Sequence, residues 1–171
     1  MSEPETTAYV GLGSNLDGPE QRVRHALNAL GTIERTRLVR HSRLYRTAPW
    51  GRGGQPDFIN AAAQLSTALS PRELLDALLA LEIEQGRHRD GSRWGPRTLD
   101  LDLLVHGEAR IAEPGLALPH PHIAERAFVL LPLAEIAPEL VIPGVGRVRE
   151  LSAGVDARGC ALLEQARART E

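Results

Sequence analysis

The chain has 171 residues, 42% of them hydrophobic, enough to bury one sizeable core, so a single domain spanning 1–171 is expected. Its formal net charge of −2 argues against a general nucleic-acid binder, which carries a basic surplus. No apolar run approaches the ~20 residues that cross a bilayer, the start Met1 to Thr7 is acidic rather than signal-like, and the lone Cys160 excludes an internal disulfide. A cytoplasmic monomer with no nucleic-acid or membrane partner is the expected setting.

All 20 basic residues are arginine. The absence of lysine excludes a Schiff-base lysine, a lysine general base and the lysine of a Walker loop. Any grip on phosphate must therefore come from arginine, backbone amides or metal, and arginine's planar fork suits phosphate oxygens.

In chain order, Thr7 to Leu12 reads as a buried strand ending in the turn Gly13-Ser14-Asn15. Pro19 opens a helix carrying Val23, Ala26, Leu27 and Leu30 at helical spacing, with Gly31 as its stop. Thr36 to Tyr45 reads as one strand, Arg46 to Asp57 as loop, and Phe58 to Thr67 as a further strand. Ser70-Pro71-Arg72-Glu73 is a capping box that starts a helix running to about Gly86. A polar loop, Arg87 to Pro96, feeds a strand from Thr98 to Val105, and His106 to Ala109 is a turn. The order strand, helix, strand, strand, helix, strand predicts a ferredoxin-like α+β fold, an antiparallel sheet with both helices on one face. A C-terminal extension follows. Arg126 to Ile136 is expected to be helical but to bend or end near Pro132, and Cys160 to Arg169 to form a terminal helix.

Leu99-Asp100-Leu101-Asp102-Leu103 is the sharpest chemical feature. On a strand the leucines face one side, and Asp100 and Asp102 stand together on the other, ~7 Å apart at the backbone. Their repulsion, about 2 kcal/mol at an effective dielectric near 20, becomes binding energy if a hard divalent cation sits between them. Immediately upstream, Arg87, Arg89, Arg93 and Arg97 against Asp90 give a local charge of four minus one, +3. Metal beside arginines is the equipment of phosphoryl transfer, so a magnesium-dependent enzyme acting on a nucleotide's phosphates is expected. The loop's glycines, Gly91 and Gly95, and its repelling arginines predict an open lid that nucleotide draws inward.

The segment Gly11 to Gly18 fits neither a dinucleotide fingerprint, because Leu16 stands where Gly is required, nor a Walker loop, because Pro19 replaces the lysine. It is a strand-to-helix turn in which Gly13 lets a flat ligand approach the backbone. His120-Pro121-His122 is a turn that offers one ligand-contacting histidine.

The run Arg93-Trp94-Gly95-Pro96-Arg97-Thr98-Leu99-Asp100-Leu101-Asp102-Leu103-Leu104 resembles the signature of the 6-hydroxymethyl-7,8-dihydropterin pyrophosphokinase family. Further blocks extend the resemblance along most of the chain: Gly11 to Leu16, Tyr45 to Pro49, Gln55 to Ala61, Glu82 to Arg87, Pro119-His120, Arg126 to Phe128 and Glu135 to Leu140. The resemblance implies transfer of pyrophosphate from ATP to the pterin's hydroxymethyl group, releasing AMP, in folate biosynthesis. It implies that Asp100 and Asp102 hold two magnesium ions and that Arg87 and Arg97, helped by Arg89, grip the transferring phosphates. Glu82, Leu103, His120 and Arg126 match nucleotide-side positions. Gly13, Thr47, Ala48, Trp50, Phe58, Asn60, Trp94 and Phe128 match the pterin pocket, with Phe58 and Phe128 sandwiching the ring and Asn60 bonding its polar edge. The chain departs from the family pattern at Ala48, Leu79, Asp90, Gly115 and Pro121, which bear on the adenine contacts and the loop.

Two rivals remain at the level of sequence. A nucleotidyltransferase also pairs a Gly-Ser turn with an Asp-x-Asp strand, but closely spaced, whereas Ser14 and Asp100 lie 86 positions apart. Released AMP rather than pyrophosphate separates the two. A ferredoxin-like RNA- or metabolite-binding module would need exposed strand aromatics for RNA, and aromatic content is only 4%.

Overall fold

Strand β1 (Thr6–Ser14) alternates cleanly: Ala8, Val10 and Leu12 bury into one cluster, whereas Tyr9 packs into another on the opposite side. The computed structural model describes residues 3–15, 18–48, 56–85 and 99–164. After β1 come α1 (Pro19–Leu30), β2 (Thr36–His41), β3 (Tyr45–Thr47), β4 (Phe58–Thr67), α2 (Pro71–Gln85) and β5 (Asp100–His106). The remainder holds the hairpin β6 (Ile111–Glu113) and β7 (Leu116–Leu118), a 3-10 turn at Ile123–Glu125, and α3 (Ala127–Ile136). Then follow the short pair β8 (Val141–Ile142) and β9 (Gly146–Arg147), α4 (Val148–Gly154) and β10 (Cys160–Leu162). No helix among the described residues is long and apolar enough to cross a membrane.

The main sheet is antiparallel in the order β10-β3-β4-β1-β5, with β2 pairing β4 beyond β3. Residues of α1 and α2 (Val23, Leu27, Leu30, Leu74, Leu78 and Leu81) pack on the Ala8, Val10, Leu12 face, together with Ala61, Ala63, Leu65, Leu101 and Leu103. The second face is covered by α3 and α4, whose Val129, Leu133, Ile136 and Val148 meet Tyr9, Ala62, Leu104 and Val105. The two helices expected between the strands share one face, and α3 closes the other, so the sheet lies between helices. A register shift opposite Tyr9 and Val10 inserts Leu104, letting both Leu104 and Val105 reach this second cluster.

The capping box forms as expected: Ser70 N–H donates to Glu73 Oε1 (3.0 Å) and Glu73 N–H to Ser70 Oγ (3.2 Å). Three local expectations are corrected. The strand expected over Thr36 to Tyr45 breaks at Ser42, whose hydroxyl takes the Ala62 N–H at 2.9 Å in place of a ladder carbonyl; Arg46 and Thr47 then belong to β3, not to loop. Helix α3 does not end near Pro132 but runs on to Ile136. An interior proline costs ~3 kcal/mol, but the helix buries Val129, Leu130, Leu133 and Ile136 at about 1.5–3 kcal/mol each, and that burial prevails. Of the terminal helix expected over Cys160 to Arg169, Cys160–Leu162 is instead a strand on β3, because Thr47, Arg46 and Tyr45 offer it an open edge; Leu163 and Glu164 are helical, and 165–169 lie outside the described residues.

One carboxylate ties α3 to the sheet. Glu135 Oε1 accepts from Tyr45 Oη (2.6 Å), and Oε2 accepts from the Arg43 N–H (2.9 Å), with the Arg43 guanidinium 3.4 Å away. Burial, reinforced by this bond to Glu135, pushes the Tyr45 hydroxyl well above its usual range. Glu135→Ala strands the hydroxyl of the buried Tyr45 and should lower stability by about 1–3 kcal/mol in urea titrations. Tyr45→Phe in the same background should recover part of that loss, because it removes the stranded group.

Candidate active site

The second face of the sheet would be filled like the first if β1 carried side chains there, but it presents Gly11 and Gly13. Pairing sets Asp100 opposite Gly13 and Gly13 opposite Asn60, while Asp102 faces Gly11 and Gly11 faces Ala62. Phe58 lies opposite Thr47, and Thr47 opposite Cys160. The outcome is a trough with carboxylates along one wall, a glycine floor and an aromatic, hydroxyl and thiol wall opposite. A Cβ added to Gly13 would come within 2.9 Å of Asn60 Oδ1, so no other residue fits that floor without moving the amide.

Over this trough stands the start of α3. Together they enclose a cavity of about 520 Å³, lined among others by Gly11, Gly13, Thr47, Ala48, Phe58, Asn60, Asp100, Asp102, Arg126 and Phe128. This falls in the range of small-molecule pockets. The structure thus gathers residues up to 149 positions apart, from Gly11 to Cys160. Phe58 and Phe128 are both half-buried, and the Arg126 guanidinium carbon lies 5.6 Å from the centroid of the Phe128 ring, a cation–π contact. Asn60 is buried and donates through Nδ2 to Thr47 Oγ1 at 2.8 Å.

Two expected nucleotide-side residues stand away from the cavity, for a reason the strand pleat supplies. Leu103 alternates with Asp102, so its side chain enters the helix-side core and leaves only its backbone near the acidic face. Glu82 is buried on α2 and accepts the outward N–H of Leu101 at 2.7 Å, bracing the edge strand that carries both aspartates. His120 stands beside the site: its backbone N–H donates to Leu104 O (2.9 Å), and burial pushes its ring below the usual range, partly offset by the nearby Asp102 carboxylate. Leu79, Gly115 and Pro121 do not line the cavity. Trp50, Arg87, Arg89, Asp90, Trp94 and Arg97 lie outside the described residues, as does the lid expected over Arg87 to Pro96.

Residues not foreseen as part of the site also line it: Gly11, His122, Glu125, Asp156, Arg158 and Cys160. Gly11 was legible, since it shares the pleat of Gly13. The C-terminal three carried no such signal. Asp156 and Arg158 form a forked pair at the mouth (2.7 and 3.0 Å), and Arg158 holds the Asp156 carboxyl down to about 2.

As a cation site the donor set is coherent. Among the described residues no three His, Cys, Asp or Glu side chains converge, so the protein offers two carboxylates over a side-chain-free floor. That suits magnesium, which keeps water and phosphate oxygens among its ligands, better than a cation needing a full protein cage.

The family model described as 7,8-dihydro-6-hydroxymethylpterin-pyrophosphokinase (HPPK) matches residues 9–138. Proteins named 2-amino-4-hydroxy-6-hydroxymethyldihydropteridine pyrophosphokinase are similar along nearly their whole length. The Pseudomonas aeruginosa protein is 50% identical over 88% of this chain and 93% of its own. The one from Methylorubrum extorquens is 45% identical over 93% and 99% respectively. Among solved structures, a Plasmodium falciparum HPPK-DHPS chain with pterin and p-hydroxybenzoate superposes with a TM-score of 0.66 at 13% identity, a likeness of fold. The match covers 87% of this chain but 43% of that longer one. The chain belongs to the 7,8-dihydro-6-hydroxymethylpterin-pyrophosphokinase family.

Proposed function

We propose that this chain, as one domain over 1–171, transfers pyrophosphate from ATP to 6-hydroxymethyl-7,8-dihydropterin, giving AMP and the pterin diphosphate, a step of folate biosynthesis. The observation that carries the reading is a cavity lined both by the paired carboxylates Asp100 and Asp102 and by Phe58, Asn60 and Phe128. A planar heterocycle needs aromatic faces and a few fixed polar groups, and a triphosphate needs charge neutralisation. ATP as co-substrate fits a cytoplasmic setting, and the strand order β5-β1-β4-β3 fits a ferredoxin-like core.

In this reading Phe58 and Phe128 hold the ring by its faces and Asn60 bonds its edge, with Gly13 and Gly11 leaving the floor open. Thr47 and Ala48 form the rim. Asp100 and Asp102 hold two magnesium ions; bound there, magnesium neutralises charge on the triphosphate. Arg126 stands where it can meet the nucleotide, as do His120 and the Leu103 backbone, and Glu82 serves by holding β5 in place. Arg87, Arg89 and Arg97 grip the phosphates, and Trp50 and Trp94 complete the pterin side. Fixed between these groups, the hydroxymethyl oxygen bonds to the β-phosphorus as the bond from the β-phosphorus to the bridging oxygen breaks; AMP leaves with that oxygen, and the hydroxyl proton passes to water. Holding the two reactants in line accounts for most of the acceleration, because phosphoryl transfer asks little covalent chemistry of the protein.

Incubation with ATP, magnesium and the reduced pterin should release AMP one-for-one with pterin diphosphate. Release of inorganic pyrophosphate instead would show a nucleotidyltransferase. Asp100→Ala and Asp102→Ala should each reduce turnover by more than about 100-fold while leaving the thermal transition intact or raised, since each removes a like-charge neighbour. Asn60→Ala should raise the KM for the pterin about tenfold and leave the KM for ATP within about twofold in initial-rate kinetics. Equal losses for both substrates would indicate a damaged fold.

A further inference from the structure

The wall of the cavity that the sequence did not announce is built from the C-terminal segment, beyond residue 138 where the family match ends. β10 pairs with β3 through Cys160 and Thr47, Ala161 and Arg46, and Leu162 and Tyr45. Backbone bonds fasten both of its ends, from Ala48 N–H to Gly159 O (2.9 Å) and from Leu163 N–H to Leu44 O (3.0 Å). Cys160 thereby lines the cavity with its half-buried thiol against the Thr47 hydroxyl.

The three side chains form a directed relay. Thr47 Oγ1 donates to Cys160 Sγ at 3.6 Å and accepts from Asn60 Nδ2 at 2.8 Å. A hydroxyl has one proton. Once that proton is committed to sulfur, Thr47 can only accept from Asn60, so the amide must turn its NH2 toward Thr47. Asn60 Oδ1 is then left over Gly13, where among the described residues it accepts no hydrogen bond. Burial pushes the Cys160 thiol up, which keeps the sulfur a neutral acceptor rather than a reactive thiolate.

We infer that Cys160 is a positioning residue for ring recognition: through Thr47 it fixes the polarity of Asn60, so that the pocket offers an acceptor to a heterocycle whose edge donates N–H. The inference rests on the function proposed above. Without the sulfur, the Thr47 proton turns to the next acceptor in reach, Asn60 Oδ1 after a flip of the amide. The pocket then presents NH2 to an N–H edge, and two donors face each other.

The test uses the whole 171-residue chain and its single thiol. Cys160→Ala and Cys160→Val should raise the KM for the reduced pterin about three- to tenfold, with the KM for ATP, kcat and the thermal midpoint near wild type. Cys160→Ser, whose hydroxyl still accepts from Thr47, should restore the pterin KM to within about twofold. Independently, alkylation of wild-type Cys160 by iodoacetamide should slow at least about fivefold when pterin and a non-hydrolysable ATP analogue with magnesium are bound, because the ring covers the thiol. Wild-type kinetics in the Ala and Val variants, equal losses in Ala and Ser, or labelling indifferent to bound pterin would each overturn the inference while the function stands. A wild-type protein that releases no AMP from ATP and pterin would overturn the function and the inference with it.

Discussion

The register of β1 between β4 and β5 decides whether there is a site at all. With Gly13 between Asp100 and Asn60, and Gly11 between Asp102 and Ala62, one face of the central strand is bare where ligand must lie. The same strand turns Ala8, Val10 and Leu12 into the core on its other face. Because side chains alternate, a one-residue slip would put Leu12 and Val10 in the trough and leave glycines in the core. Burial therefore enforces the register, and the open floor follows from it at no separate cost. The nine cross-strand pairs from Thr6 to Ser14 against β4 make that enforcement continuous along the strand.

A trough becomes a pocket only if something closes it, and α3 does so from the second face. Its helix-interior Pro132 weakens the backbone ladder, but the apolar contacts to Ala62, Leu104 and Val105 hold it to the sheet. Glu135 then sets how it sits, by receiving the Tyr45 hydroxyl and the Arg43 N–H from the edge of β3. Two hydrogen bonds to one carboxylate fix the far end of the helix, and with it the placement of Phe128 and Arg126 at the near end. The aromatic wall and the acidic wall thus belong to different layers but share one sheet as reference.

Elements governed by local chemistry were legible in the residues. Leu-Asp-Leu-Asp-Leu alternates as a half-buried strand must, Ser70 to Glu73 closes its capping box, and Phe58 and Asn60 share a pleat. Elements governed by a distant partner were not. Cys160–Leu162 has too few residues for any periodicity and becomes a strand because β3 offers an unpaired edge. The break at Ser42 depends on an Ala62 N–H twenty positions away, and α3 passes Pro132 because of a core that no local pattern displays. The resemblance brought Glu82 and Leu103 in as site residues, but a motif assigns positions without saying which atoms face a ligand. Here the pleat turns Leu103 inward, and Glu82 spends its carboxylate on the Leu101 N–H.

The cavity has a polarity that matches its two proposed substrates. Asp100 and Asp102 charge the β5 wall, whereas Thr47, Phe58, Asn60 and Cys160 across the glycine floor are uncharged. Asp100 and Asn60 sit in one cross-strand row with only Gly13 between them, two strand spacings or about 10 Å at the backbone. In the reading proposed above, a fused bicyclic ring bonded at its edge by Asn60 spans this row, with its opposite substituent toward Asp100. The reaction proposed above needs the hydroxymethyl oxygen and the β-phosphorus to meet at the boundary between a neutral and a charged compartment. The glycine row creates that boundary without a side chain standing in it. A sheet already fixed by its core sets the separation between Asn60 and Asp100.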